Sequence, residues 1–203
     1  NRGLCGGFNA NVFKSSKQEL TQNTDVFCVG KKAIEQFSRT ECNIFATETE
    51  LLDVPTVTAC KMLSSMIIEK FLEGKWSKVL LVYNKFKNAA TQLVEVEEML
   101  PICFEQTAET GLEKNRKDYI FEPDKTQIIN SLIPAQVHTQ LFEALLNSIA
   151  AEHGARMTAM HKATDNAQDL KDRLTLTYNR KRQAAITNEI LEIVAGAEAL
   201  KGS

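Results

Sequence analysis

The stretch that decides the fold is "MHKATDNAQDLKDRLTLTYNRKRQAAITNEILEIVAGAEAL", residues 160–200, which forms the last part of a segment without proline. From Ala135 to Leu200 only Gly154 and Gly196 interrupt residues that are compatible with a helix. The pattern predicts one uninterrupted helix over 135–203. At 1.5 Å per residue such a helix is about 100 Å long, several times the length of an ordinary globular helix.

Apolar residues recur along this segment at intervals of three and four, as they do on one face of a helix. A twelve-residue interval between Leu174 and Ile186 breaks the strict heptad, as a stutter does in a coiled coil. An amphipathic helix of this length cannot bury its own stripe. We therefore expect either self-association or a partner helix that is absent from this chain. We call these positions the apolar seam: Val137, Leu141, Leu145, Ile149, Met160, Ala163, Ala167, Leu170, Leu174, Ile186, Ile190, Ile193, Ala197 and Leu200.

Residues 1–134 have a different pattern, in which short β-rich runs alternate with helical ones. This alternation predicts an α/β domain over 1–134 followed by the long helix over 135–203. The predicted helices are 31–39 and 54–74, the predicted strands are 24–30, 77–86, 91–102 and 118–123, and 105–117 is predicted to be an exposed loop. Strands 77–86 and 91–102 are close enough in sequence to form a hairpin.

The composition excludes several classes of function. A net charge of −2 gives no support for nucleic-acid binding, and the apolar runs are too short for a membrane span. The five cysteines are odd in number and lack a CxxC motif, so we expect buried free thiols in a reducing compartment.

The opening residues "NRGLCGG" form a glycine-rich turn that leads into a predicted helix. The spacing of Gly3, Gly6 and Gly7 matches neither GxGxxG nor GxxxxGK[ST], which favours a structural turn over a nucleotide site. Cys5 lies near a helix start, where a thiol can be activated, but no histidine nearby in sequence supplies a base.

Two charged clusters also have ordinary explanations. The carboxylates of Glu95, Glu97 and Glu98 suggest acid–base or metal chemistry, but a solvated strand face or turn is the favoured explanation. The "RKR" run at 180–182 resembles a nucleic-acid patch, although three charges in a neutral helix more often form a solvated face or a protein contact. The sequence therefore predicts no active site, metal or cofactor, and indicates a mechanical or interaction role.

Two stretches resemble the gamma subunit of F-type ATP synthases. The first, "RGLCGGFNANV" (2–12), resembles the glycine turn of that family. The second is 160–200, in which "ATDNA" (163–167), "LTYNRKRQAAIT" (176–187) and "EILEIVAGAEAL" (189–200) match its C-terminal helix in order and spacing. One departure is Asn1, where the family usually has Asp.

The resemblance implies a small Rossmann-like α/β domain and a long helix that forms an antiparallel coiled coil with an N-terminal helix. On this basis the chain lacks that N-terminal helix and the first strand. The family is the central-stalk rotor that couples proton-driven rotation of a membrane ring to ATP synthesis at the beta subunits. The implied partners are the alpha, beta and epsilon subunits and the c-subunit ring, and the implied location is the cytoplasmic face of a bacterial inner membrane, with the mitochondrial inner membrane less favoured.

Residue roles carried over from the family fall on three groups. Coupling contacts to the beta subunits are expected at Arg156, Gln183, Thr187 and Glu189. The small and apolar residues Val194, Ala197, Ala199 and Leu200 are expected to form a bearing tip, and Gly3, Cys5, Gly6 and Gly7 a structural turn. Two alternatives stay open, a nucleotide-binding α/β protein and a self-associating coiled-coil scaffold.

Overall fold

The computed structural model describes residues 1–21, 23–102 and 121–201. The chain divides into two units, Asn1–Thr158 and Ala159–Ser203. The helices and strands in chain order are α1 (Phe8–Glu19), β1 (Asp25–Val29), α2 (Lys31–Phe37), β2 (Asn43–Glu48), α3 (Val57–Leu72), β3 (Val79–Phe86), β4 (Gln92–Leu100) and α4 (Lys125–Lys201).

The first unit contains a parallel β–α–β arrangement near its start. Strands β1 and β2 pair in parallel from Asp25 opposite Asn43 to Val29 opposite Glu48, and α2 connects them. This confirms the strand predicted at 24–30 and the helix predicted at 31–39. Strand β2 was not predicted, although its run Ile44–Thr47 contains the β-branched and aromatic residues that favour strands.

Helix α3 has a defined start and end. The Thr56 hydroxyl caps it by accepting a hydrogen bond from the Ala59 N–H at 3.3 Å. Glu73 and Gly74 follow its last residue, and Gly74 has φ +77°. The predicted helix 54–74 is therefore correct in type and two to three residues too long at each end.

Strands β3 and β4 form the predicted hairpin, antiparallel from Val79 opposite Leu100 to Phe86 opposite Gln92. In the hairpin turn, residues 87–91, the Asn88 carboxamide oxygen accepts hydrogen bonds from the Ala90 and Thr91 N–H groups. The predicted loop 105–117 and residues 118–120 of the strand predicted at 118–123 lie outside the described residues. Residues 121–123 are described and are not in a strand.

Helix α4 begins at Lys125, ten residues before the predicted start at Ala135. The predicted start follows Pro134, whereas this proline lies within the helix. Asp124 explains the earlier start, because its carboxylate accepts the Thr126 N–H and its carbonyl accepts the Ile128 N–H, as an N-cap does. Burial of Val137 and Leu141 immediately after the proline offsets the loss of one backbone hydrogen bond.

Two buried clusters hold the first unit together. The larger brings α3, the end of β4 and α4 into contact through Leu51, Cys60, Ile67, Met99, Leu100, Val137, Leu141 and Leu145. The smaller joins the glycine turn to α4 through Cys5, Phe8, Ala151 and Ala155. Three seam residues, Val137, Leu141 and Leu145, are thus covered by the first unit's own side chains.

The second unit consists, within residues 159–201, of α4 alone. Its part of the apolar seam lies open to solvent: the exposed fraction is 58% for Leu170, 59% for Leu174 and 55% for Ile190. Ala167, Leu170, Leu174 and Tyr178 form one continuous apolar surface of this helix. Residues 159–201 are helical, as predicted, and the seam has no covering chain among the described residues.

Candidate functional site

The glycine turn, residues 1–7, packs on the middle of α4. Gly6 has φ +59°, a left-handed conformation that a residue with a side chain adopts only with strain, and Leu4 also has a positive φ of 63°. The Cys5 side chain points into the small cluster with Phe8, Ala151 and Ala155 and is 4% exposed. The turn that the sequence predicted is thus a docking point for α4.

Cys5 is held as a structural group. The Asn9 carboxamide donates hydrogen bonds to the Cys5 Sγ at 3.3 Å and to the Arg2 carbonyl at 3.0 Å. These contacts and the burial of the thiol account for a cysteine at this position without a catalytic role. Cys28 and Cys60 are also buried free thiols, Cys42 is a half-buried one, and burial raises the pKa of the Cys28 thiol to about 11.

Arg156 lies beside the glycine turn. Its guanidinium pairs with the Glu152 carboxylate one helical turn earlier, and its Nε donates to the Gly3 carbonyl at 3.4 Å. The Arg156 side chain is 23% exposed. The structure therefore brings together two of the predicted site residues, Gly3 and Arg156, and the contact of Arg156 with a beta subunit stays a prediction.

Glu152 is a member of this cluster that the sequence reading missed. Its carboxylate accepts the Arg2 N–H at 3.1 Å and the Asn1 nitrogen at 2.8 Å, in addition to the Arg156 guanidinium. Burial raises the pKa of the Glu152 carboxyl, but these hydrogen bonds and charges outweigh it, so the pKa is lowered from its ordinary value. The spacing of four residues from Arg156 was the available signal.

Arg2 and Asp53 add an exposed ion pair at the edge of this cluster. Arg2 Nη2 lies 3.3 Å from Asp53 Oδ1, and the Asn1 carboxamide also donates to Asp53 Oδ1. Because both charged side chains are largely exposed, this pair contributes little to stability.

The other predicted coupling residues, Gln183, Thr187 and Glu189, belong to the second unit and are exposed. Gln183 and Thr187 are four residues apart and share a helix face, whereas Glu189 lies two residues further and faces elsewhere. Of the predicted bearing tip, Val194, Ala197 and Leu200 are exposed, and the side chain of Ala199 lies outside the described residues. The "RKR" residues 180–182 are exposed as well.

The acidic cluster on β4 is explained by its neighbours. The Tyr83 hydroxyl donates to Glu97 at 2.9 Å, and the Lys85 ammonium pairs with Glu95 at 3.0 Å. Burial is the main cause that raises the pKa of the Tyr83 hydroxyl above its ordinary value, and the Glu97 and Glu95 carboxylates raise it further. Glu98 lies 2.9 Å from Lys78, so each of the three carboxylates has a hydrogen-bonding or cationic neighbour.

Metal and membrane sites are absent from the residues that the structure describes. Within 1–21, 23–102 and 121–201, no three His, Cys, Asp or Glu side chains come together as metal ligands. None of the helices in these same ranges has an apolar stretch long enough for a membrane crossing.

The chain falls in the class of ATP synthase subunits, because the family model described as ATP synthase matches residues 1–200. It is 48% identical to the ATP synthase gamma chain of Flavobacterium psychrophilum, covering 100% of this chain and 71% of that protein. The Geobacter metallireducens gamma chain is 39% identical over 99% of this chain and 71% of its own length. The chain therefore belongs to the ATP synthase gamma chain family.

Solved structures agree on the fold. A chain of the Euglena gracilis mitochondrial ATP synthase OSCP/F1/c-ring assembly matches with a TM-score of 0.71 at 20% identity, covering 98% of this chain and 70% of that one. A chain of the Euglena rotor matches with a TM-score of 0.66 at 21% identity, covering 92% of this chain and 71% of that one. The predicted fold, an α/β domain with a very long C-terminal helix, is confirmed.

Proposed function

We propose that this protein is the central-stalk rotor subunit that couples rotation of a proton-driven c-subunit ring to ATP synthesis at beta-subunit catalytic sites. Family membership supports the assignment. The observation that carries the mechanism is the solvent-exposed apolar seam of the second unit. A helix with this surface requires other chains around it, because the removal of its exposed apolar side chains from water stabilises the assembly.

The second unit has the properties of a shaft. It is helical from Ala159 to Lys201 without a proline, so its backbone hydrogen bonds resist twisting along its length. The tip residues Val194, Ala197 and Leu200 offer small and apolar groups to a surrounding sleeve and few groups that could adhere to it. Such a tip can turn within a ring of alpha and beta subunits.

Coupling requires contacts that are specific and that also break at each third of a turn. Exposed polar groups meet this requirement, since surface ion pairs contribute about 0–1 kcal/mol each. Gln183, Thr187 and Glu189 supply such groups on the second unit, and the half-buried Arg156 supplies a charged group on the first. These four residues are proposed as coupling contacts to the beta subunits.

The remaining partners are the epsilon subunit and the c-subunit ring, which the first unit is proposed to contact. In this role the protein has no catalytic site of its own and takes no cofactor or metal, because the nucleotide chemistry belongs to the beta subunits. The proposed location is peripheral, on the cytoplasmic face of a bacterial inner membrane.

The proposal is tested by changing Gln183, Thr187 and Glu189 to alanine together in the protein assembled with its synthase partners. We expect less proton pumping per ATP hydrolysed, with nucleotide affinity of isolated beta subunits unchanged. Asp169→Asn, an exposed change on the same helix, serves as the control. Wild-type pumping and hydrolysis in the triple variant would count against the coupling role. Saturable, tight binding of ATP to the protein alone would favour the nucleotide-binding alternative.

A further inference from the structure

Residues 151–158 of α4 are held on one side by the glycine turn. Glu152 accepts the Arg2 N–H and pairs with Arg156, and Arg156 in turn donates to the Gly3 carbonyl. Ala151 and Ala155 are 0% and 9% exposed, and their small side chains allow the turn to approach the helix closely. The polar contacts flank this apolar one.

The hairpin turn holds the same helical segment on another side. The Thr158 hydroxyl donates to the Ala89 carbonyl at 2.9 Å. A Cβ atom added at Gly154 would lie 3.2 Å from both the Ala89 Cα and the Phe86 ring, so only glycine allows this approach without movement. Because Glu152 and Gly154 are two residues apart, the two contacts lie on different faces of α4.

The two sets of contacts differ in how firmly they fix a rotation about the helix axis. Contacts between small apolar side chains are non-directional and allow one surface to slide on another. Charge-assisted hydrogen bonds are directional, and Glu152 makes them from a side chain that is only 13% exposed. Glu152 also bonds the turn and Arg156 at once, so its loss releases both.

We propose that Glu152 is a positioning residue that locks the glycine turn to α4, so that torque passes between the helix and the rest of the first unit without slippage. This inference rests on the proposed rotor function. The contacts that Glu152 makes for this purpose lie within the first unit. It acts through Arg2, Gly3 and Arg156, which it holds in one arrangement.

The lock is tested first by amide hydrogen exchange at Arg2 in the assembled complex, comparing wild type with Glu152→Ala and Glu152→Gln. The exposed Glu143→Gln on the same helix is the matched control. We expect exchange at Arg2 to become roughly tenfold faster in Glu152→Ala, because the amide loses a charged acceptor. Glu152→Gln keeps an acceptor oxygen but loses the pairing with Arg156, so we expect a smaller increase, and this variant carries the test if Glu152→Ala fails to accumulate.

The second readout is the number of protons pumped per ATP hydrolysed. We expect this ratio to fall in both Glu152 variants while ATP hydrolysis continues, and to stay at the wild-type value in Glu143→Gln. Unchanged exchange at Arg2, or an unchanged ratio despite faster exchange, would overturn the lock. The exchange comparison is repeated on the full chain without its partner subunits. A wild-type protein that joins no synthase complex would contradict the rotor function, while exchange at Arg2 in the chain alone would still test the lock.

Discussion

At the scale of single residues, the Arg156 Nε donates to the Gly3 carbonyl, a contact that spans more than 150 positions and depends on how α4 packs. Both the glycine turn and Arg156 were named from the sequence, but their contact with each other was not. Glu152 was missed because an isolated carboxylate four residues before an arginine resembles many surface pairs. Its burial against the turn, which makes it distinctive, is a tertiary property.

A buried hydroxyl joins α3 to α4 and gives a prediction at this scale. Ser64 is 0% exposed, donates to the Cys60 carbonyl at 2.7 Å and hydrogen-bonds His138 Nδ1. Ser64→Ala leaves the histidine nitrogen without this partner, so we expect a loss of about 1–3 kcal/mol in the free energy of unfolding. Denaturation followed by the fluorescence of Trp76, the single tryptophan, measures it.

The neighbouring Ser65→Ala is the control, because Ser65 is exposed on the same helix. Its effect should stay within about 0.5 kcal/mol. Equal effects of the two substitutions would show that the Ser64–His138 bond does not stabilise the packing of α3 on α4.

The Glu152 carboxyl predicts a pH dependence. Its pKa is lowered in the folded protein, so its stabilising contribution is present above the ordinary glutamate pKa, about 4.3, and is lost as the pH falls through the lower folded value. The groups that face it are the Arg2 N–H and the Arg156 guanidinium. We expect the difference in unfolding midpoint between wild type and Glu152→Gln to be constant near pH 7 and to shrink below about pH 4.3. A difference independent of pH down to 3 would mean that the ionised carboxylate is not what stabilises the turn.

At the scale of elements, local patterns predicted most helices and strands, and tertiary packing set the rest. The hairpin and α3 carry clear alternation and capping signals, so their type was predicted correctly. Strand β2 was missed because its parallel pairing with β1 across α2 is a tertiary contact that the local pattern does not show. The start of α4 was misplaced because a proline normally marks a boundary, whereas burial of Val137 and Leu141 keeps the helix continuous.

The two helical glycines of α4 make a matched pair. Gly154→Val places methyl groups against Ala89 and Phe86, so we expect it to lower the stability of the first unit by about 1–3 kcal/mol despite valine's better helix propensity. Trp76 fluorescence during denaturation reports the change. Gly196 has no atoms within 4 Å of an added Cβ, so Gly196→Ala should leave that midpoint unchanged and increase helix content. An undiminished midpoint in Gly154→Val would show that the hairpin turn does not need this close approach.

At the scale of the whole molecule, the apolar seam connects the sequence to the proposed function. Its period was readable from the sequence. No described residue covers the seam in the second unit. The local pattern therefore predicts only that the covering chain presents an apolar surface. Family membership supplied the class of assembly, and the exposed seam supplies the reason why an assembly is needed.

The seam predicts which substitutions prevent assembly. Leu170→Asp with Leu174→Asp places two carboxylates where burial is expected, and an unpaired buried charge is strongly unfavourable. We expect this variant to be lost from complexes purified through the alpha or beta subunit. Asp172→Asn lies two residues from both leucines, on a different face, and should be retained like wild type. Retention of the double variant would indicate that the seam stays in water in the complex.

The central claim, that this protein is a rotating shaft, is tested most directly by observing rotation in single molecules. The alpha and beta subunits are immobilised, and a visible probe is attached to the exposed Ser131 of the first unit, changed to cysteine, in the assembled complex. Addition of ATP should produce rotation in one direction, in steps of a third of a turn, the interval at which the proposed coupling contacts break. ATP hydrolysis by the same complexes with a probe that does not rotate would contradict the account.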